Sequence, residues 1–99
     1  MITVQNIIEW SRPHPNHLEG ARMIRIYNDE IEASIVGGAR GLYGDFVEDF
    51  ELAVFDRKTN EFMTRFFFPE RQDDVVGYMS GQKLVNFLNQ VFQKGFQVR

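Results

Sequence analysis

The chain has 99 residues, enough for one hydrophobic core and not for a second. Hydrophobic residues at 43 % and charged residues at 25 % are those of an ordinary globular domain, and a net charge of −3 argues against broad, phosphate-driven binding to nucleic acid. The lack of cysteine excludes disulfides, thiolate catalysis and cysteine-ligated metals.

Thr3 is placed to cap a short helix in which Val4, Ile7 and Ile8 share one face. Pro13 and Pro15 end it, because neither donates a backbone hydrogen bond and each steers its predecessor out of the helical region. Residues 11–20 are therefore an irregular connection, which holds both histidines, His14 and His17. Residues 1–20 thus make an N-terminal helix and lead-in.

From Met23 to Tyr27 the chain alternates, with Ile24 and Ile26 on one side and Met23, Arg25 and Tyr27 on the other. Asn28-Asp29 is a turn-forming pair, and Ile31, Ala33 and Ile35 then alternate with Glu32 and Ser34, which predicts a tight hairpin. A loop punctuated by Gly37, Gly38, Gly41 and Gly44 follows. Period two resumes with Phe50, Leu52 and Val54 opposite Asp49, Glu51, Ala53 and Phe55. A polar turn over 56–61 leads to Phe62, Thr64, Phe66 and Phe68 alternating with Met63, Arg65 and Phe67, a second predicted hairpin that Pro69 ends. The strands thus occupy 21–68.

Asp73 or Asp74 is positioned to cap a brief helical turn through Val75, Val76 and Met79, with a strand as the competing reading. Ser80 caps the main helix, which is expected to run to Gly95, so that 73–95 is the helical C-terminal part. On it Leu84, Val85, Phe87, Leu88, Val91 and Phe92 form one apolar arc. The predicted fold is α+β: a four-stranded antiparallel β-meander, a C-terminal amphipathic helix on one face, and a short N-terminal helix at an edge or end, all in a single domain over 1–99.

The glycine loop lacks what a phosphate cradle needs, since a strand rather than a helix follows it and no Lys-Ser or Lys-Thr pair closes it. Asp45, Glu48, Asp49 and Glu51 lack the calcium-loop spacing, and alternation sends Glu48 to the face opposite Asp49 and Glu51. His14 and His17 sit among prolines with no further histidine to complete a metal site, and no nucleophile-elbow pattern surrounds any serine. No catalytic, cofactor-binding or metal-ligating residue is assigned, and no cofactor is expected. Arg25, Tyr27, Arg40 and Tyr43, with Arg22 nearby, make a thin basic–aromatic strip, the candidate contacts for a partner or for single-stranded nucleic acid. A meander followed by a helix is similar at fold level to the single-strand-binding domains of transcriptional coactivators, and VVGYMSGQKLVNFL resembles their strand-into-helix ending.

A more specific pattern runs through the chain: Ala33-Ser34-Ile35, then Tyr43-Gly44, then Glu51-Leu52-Ala53-Val54, then Asp74-Val75-Val76-Gly77-Tyr78, followed by a helix with Leu84, Val85 and Leu88. It resembles a group of short, uncharacterised tailed-phage proteins that carry these motifs in the same order, over roughly Ile31 to Val91. The N-terminal extension through Gly20 and the longer phenylalanine run depart from that pattern. The resemblance implies a phage or phage-derived accessory protein and brings no activity, cofactor or catalytic residue with it.

The expected function is that of a small non-catalytic accessory protein acting through protein–protein interaction, with itself or with a host or phage partner. A single-stranded nucleic-acid-binding module is the alternative, disfavoured by the acidic balance, and a small enzyme comes third. No apolar run approaches the ~18 residues of a membrane span and no leader pattern opens the chain, so no membrane association is expected and the location is the cytoplasm, the host's if phage-encoded. If Phe50, Leu52, Val54, Phe62, Thr64, Phe66 and Phe68 face the helix, then Ala53, Phe55, Met63 and Phe67 face away. Phe55, Met63 and Phe67 are then the candidate self-association face and a homodimer is expected; the competing arrangement folds Val4, Ile7 and Ile8 over the same face.

Overall fold

The alternation of residues 22–37 and 49–56 builds the centre of the sheet seen in the computed structural model, which describes residues 1–15, 19–39 and 42–99. In chain order the elements are α1 (Val4–Trp10), β1 (Arg12–Pro13), β2 (Arg22–Tyr27), β3 (Ile31–Gly37) and β4 (Asp49–Asp56). There follow α2 (Thr64–Phe67), β5 (Val76–Ser80), α3 (Gly81–Val91) and β6 (Gln97–Val98). The fold is α+β, with antiparallel strands in the order β1-β2-β3-β4-β5. The two-residue β6 shares the outer edge of β2 with β1: Arg12 and Pro13 face Met23 and Arg22, while Val98 and Gln97 face Ile26 and Tyr27.

The first hairpin forms as its residues dictate. Asn28 turns its side chain back so that Oδ1 accepts from the backbone N–H of Glu30 and of Ile31, both at 2.9 Å. Register then sets Ile24 against Ile35 and Ile26 against Ala33, and β4 continues the same face with Leu52 against Ile35 and Val54 against Ala33. These side chains are fully buried together with Phe50, Val76, Leu84 and Leu88 in one contiguous core. Each such burial stabilises by roughly 1.5–3 kcal/mol.

Ser80 caps α3 as predicted, its Oγ accepting from the Lys83 N–H at 3.3 Å, and the arc through Leu84, Phe87, Leu88 and Phe92 packs into the core. α1 carries a capping box, with Thr3 Oγ1 accepting from Asn6 N–H and the Thr3 N–H donating to Asn6 Oδ1. It lies against α3, on the helix side of the sheet, so it does not cover the other face. Asn89 latches the chain ahead of α1 by acting as a surrogate strand: its Oδ1 accepts from Ile2 N–H at 2.7 Å and its Nδ2 donates to Ile2 O at 2.8 Å.

The second hairpin is a correction. Phe62 makes one bridge to Phe55, after which the chain leaves the ladder and turns into α2. The departure is set by Thr64, fully buried, whose Oγ1 accepts from Val54 N–H at 2.9 Å while Val54 O accepts from Met63 N–H. Two consecutive phenylalanines explain the gain. A strand would send Phe67 and Phe68 to opposite faces, whereas α2 and its C-cap bring both rings onto Phe87, at centroid distances of 5.3 and 5.1 Å.

The meander's fourth strand is β5, in the segment first read as a helical turn, with Phe50 facing Met79 and Leu52 facing Val76. Between those pairs Gly77 and Tyr78 stand opposite Glu51 alone, a bulge that disguises the strand pattern. The helix also ends earlier than Gly95, at Val91, and the pairing of β6 with β2 has no local signal in the sequence.

The latch and the arc generate a graded test. Leu88→Ala is expected to cost ~2–5 kcal/mol through the cavity it leaves, and Asn89→Ala about 1–3 through two lost bonds at the Ile2 backbone. Asn86→Ala, exposed on the polar side, stays within about 0.5 kcal/mol. Urea denaturation of the three variants ranks them; an Asn86 variant as unstable as the Leu88 variant would refute the packing.

Candidate functional site

The register that buries Ile24, Ile26, Ala33 and Ile35 sends Met23, Arg25, Tyr27, Glu32, Ser34, Val36, Glu51, Ala53 and Phe55 to the opposite face. Among the described residues no helix covers this face, because all three helices pack on the other one. At one end of it, on the central strand, lies Glu32, paired with Tyr27 on one side and Phe55 on the other, with its side chain only 6 % exposed.

Three arginines from distant parts of the chain converge on that carboxylate. Arg25 Nη1 donates to Oε2 at 2.7 Å and Arg99 Nη2 to Oε1 at 2.7 Å, while Arg57 Nε stands 3.8 Å from Oε1. Each guanidinium also lies over an aromatic ring. Arg25 is 5.6 Å from the Phe55 centroid, and Arg57 and Arg99 are 4.3 and 5.0 Å from that of Tyr27. Tyr27 is fixed in turn by its hydroxyl, which donates to Gln97 Oε1 at 2.8 Å. β6 brings Arg99 here by exchanging backbone hydrogen bonds with Arg25, at 2.7 and 2.8 Å.

Three cations meet one carboxylate, so the cluster itself carries an excess of positive charge on a chain that is acidic as a whole, with Asp29, Glu30 and Lys94 lining the pocket beside Arg57 and Tyr27. Charge-assisted bonds of this length contribute about 1.5–3 kcal/mol each, less where solvent screens the arginine. Phe62, half-exposed, extends the aromatic lining, its ring 4.6 Å from that of Phe55. Arginine and aromatic side chains held rigid on an open surface are the composition of a recognition site.

The candidate contacts divide. Arg25 and Tyr27 belong to this site, and Arg40 lies outside the described residues. Tyr43 stands in the loop between β3 and β4, against the bulge of β5, where its N–H donates to Glu51 Oε1 and its carbonyl accepts from Tyr78 N–H at 2.7 Å. The two tyrosine rings are 5.9 Å apart, and Gly77 makes their approach feasible, since a Cβ there would lie 2.7 Å from Tyr43 Cβ. Tyr78 holds a φ of 52° to complete the bulge.

The proposed face of Phe55, Met63 and Phe67 is not one surface. Phe55 is on the open face, whereas α2 turns Met63 and Phe67 against the core. Sequence reasoning missed Glu32, Arg57 and Arg99. An acidic residue at an alternating position in a central strand was the available signal for Glu32; Arg99 depends on β6, which had none.

The acidic cluster serves the loop before β4. Asp45 Oδ1 accepts from the backbone N–H of Val47, Glu48 and Asp49 at 2.8, 2.8 and 3.1 Å, and Asp45 N–H donates to Asp49 Oδ1. Those backbone donors hold the Asp45 carboxyl down at about 2. Among the described residues no three histidine or acidic side chains are grouped to hold a metal, and no helix is long and apolar enough to cross a membrane. His14 belongs to the β1–β2 connection, where its backbone N–H donates to Ala21 O at 2.9 Å, and His17 lies outside the described residues.

No protein-family model, no curated protein and no solved structure matches the chain.

Two outcomes follow from the electrostatics. Glu32→Gln leaves three guanidiniums facing one another and is expected to cost about 1–3 kcal/mol, below the range for a fully buried pair because the arginines are partly solvated; rising salt should recover part of that loss, and a salt-independent change would refute the charge argument. Asp45 is depressed in the folded protein, so its contribution is complete above its unfolded value near ~3.9 and is lost as pH falls through about 2. A carboxyl carbon titration by NMR should place the Asp45 midpoint near 2, with the Val47 and Glu48 amides shifting in step; a midpoint near that of a free aspartate would refute the clamp.

Proposed function

We propose that the protein is a non-catalytic accessory module, of the kind its resemblance to short tailed-phage proteins implies, and that it binds an acidic segment of another protein on its open sheet face. The observation that carries this reading is the set of three guanidiniums around Glu32, stacked on Tyr27 and Phe55, on a face without a helix. An incoming carboxylate meets donors already oriented, so little side-chain entropy is lost on binding. Phe55 and Phe62 offer apolar contact beside the charges, which a peptide uses and a bare phosphate chain does not.

Charge distribution favours protein over nucleic acid. The positive region is a compact patch, not a stripe, and Glu51 and the acidic loop occupy the other end of the β4 side of the face. A single-stranded nucleic acid needs a track of several successive phosphate contacts.

The reading is tested with a fluorescein-labelled glutamate-rich peptide containing one tyrosine, titrated at two salt concentrations beside an oligothymidine of similar charge. The peptide should bind, and Arg57→Ala should weaken it about tenfold, equivalent to ~1.4 kcal/mol. Arg57 is the arginine of choice because its contact with Glu32, at 3.8 Å, is the longest of the three. Salt-sensitive oligothymidine binding tighter than peptide binding would transfer the site to nucleic acid, and equal peptide binding by wild type and Arg57→Ala would remove it from this face.

A further inference from the structure

On the helix side, away from the arginines, a groove of about 550 Å³ opens between α2 and α3. Phe68, Phe87, Val76 and Val91 supply its apolar walls, and Glu70 and Lys83 are among the charged residues that line it. Beside it projects Phe66, 75 % exposed, its ring edge-on to Phe67 at 5.1 Å. Phe66 cannot enter the groove of its own chain, because α2 is pinned by the buried Thr64 to the Val54 backbone and Phe67 takes the inward position.

An aromatic knob and an apolar hole therefore lie side by side on one rigid element. A surface of that kind is self-complementary under a two-fold axis, which places each knob in the other copy's hole. The lining is compatible with the same operation: it carries a negative Glu70 beside the positive Arg71 and a positive Lys83, so that a two-fold can set each Glu70 against the other copy's Lys83. An unrelated partner would have to supply both the aromatic and the charge order that this chain already displays.

We propose that the α2–α3 groove is the site of a symmetric dimer, in which Phe66 of each copy fills the groove of the other. One aromatic knob and one charge pair per copy make a small set of contacts, so association is expected in the micromolar range. The arrangement leaves both arginine faces outward, and it is independent of what those faces bind.

Sedimentation velocity over ~5 to 500 µM decides it. The wild type should pass from monomer to dimer across that range, and Phe66→Asp, altering only an exposed side chain, should remain monomeric with an unchanged melting temperature. Lys83→Glu should weaken the dimer at least tenfold, and Glu70→Lys combined with Lys83→Glu should restore most of it. A wild type that stays monomeric at the top concentration, a Phe66→Asp variant that associates like wild type, or a double reversal that restores nothing overturns the proposal. Peptide binding by Phe66→Asp at wild-type strength per chain would keep the failure or success of the arginine site separate from that of the dimer.

Discussion

The register of β3 is the constraint on which the rest of the structure depends. Flanked by β2 and β4 along its length, it offers Ala33 and Ile35 to the core and Glu32, Ser34 and Val36 to the open face, and every one of these is buried. A slip of one residue would place a carboxylate among Leu52, Leu84 and Leu88 and turn two apolar side chains outward. Burying an unpaired carboxylate costs far more than any local hydrogen bond returns. One strand thereby assigns both faces of the sheet, and with them the positions of the helices and of the arginines.

What could be read from the chain follows the range of the interactions involved. The hairpin of Ile24, Ile26, Ala33 and Ile35 and the arc of Leu84 and Leu88 are periodic over short windows, and the Ser80 cap depends on residues three apart. These were legible. The phenylalanine run was misread because its alternation was real but the winning term was tertiary, namely the Phe87 ring that only the folded chain places beside Phe67 and Phe68. β5 was obscured by its bulge, which breaks the period of two at Gly77 and Tyr78. The arginine site needed Arg25, Arg57 and Arg99 in one place, and no sequence window contains them.

The sheet protects its edges unevenly. Along β2 the edge is divided between two-residue strands at opposite ends of the described chain, and neither offers a long template for another chain to pair with. β5 uses a different device: the bulge at Tyr78 turns the backbone out of register and Tyr43 O takes up its N–H. Both devices favour association through side chains over strand addition, in keeping with the recognition proposed above for the stacked arginines on one side and the phenylalanine knob on the other.

Ser80 is both the last residue of β5 and the cap of α3, so strand passes into helix without a loop. The junction is a phase lock. Adding one residue there would rotate α3 by about 100°, carrying Leu84 and Leu88 away from the sheet, while the next residue in line would meet the space that Gly81 leaves for Val4. The polar turn over 56–61 and the loop between β3 and β4 are indexed as well, the first because it carries Arg57 to Glu32 and the second because it sets Tyr43 O against Tyr78 N–H and Asp45 Oδ1 against the amides of Val47, Glu48 and Asp49. A change of length at the strand-to-helix joint is therefore expected to be forbidden in this fold.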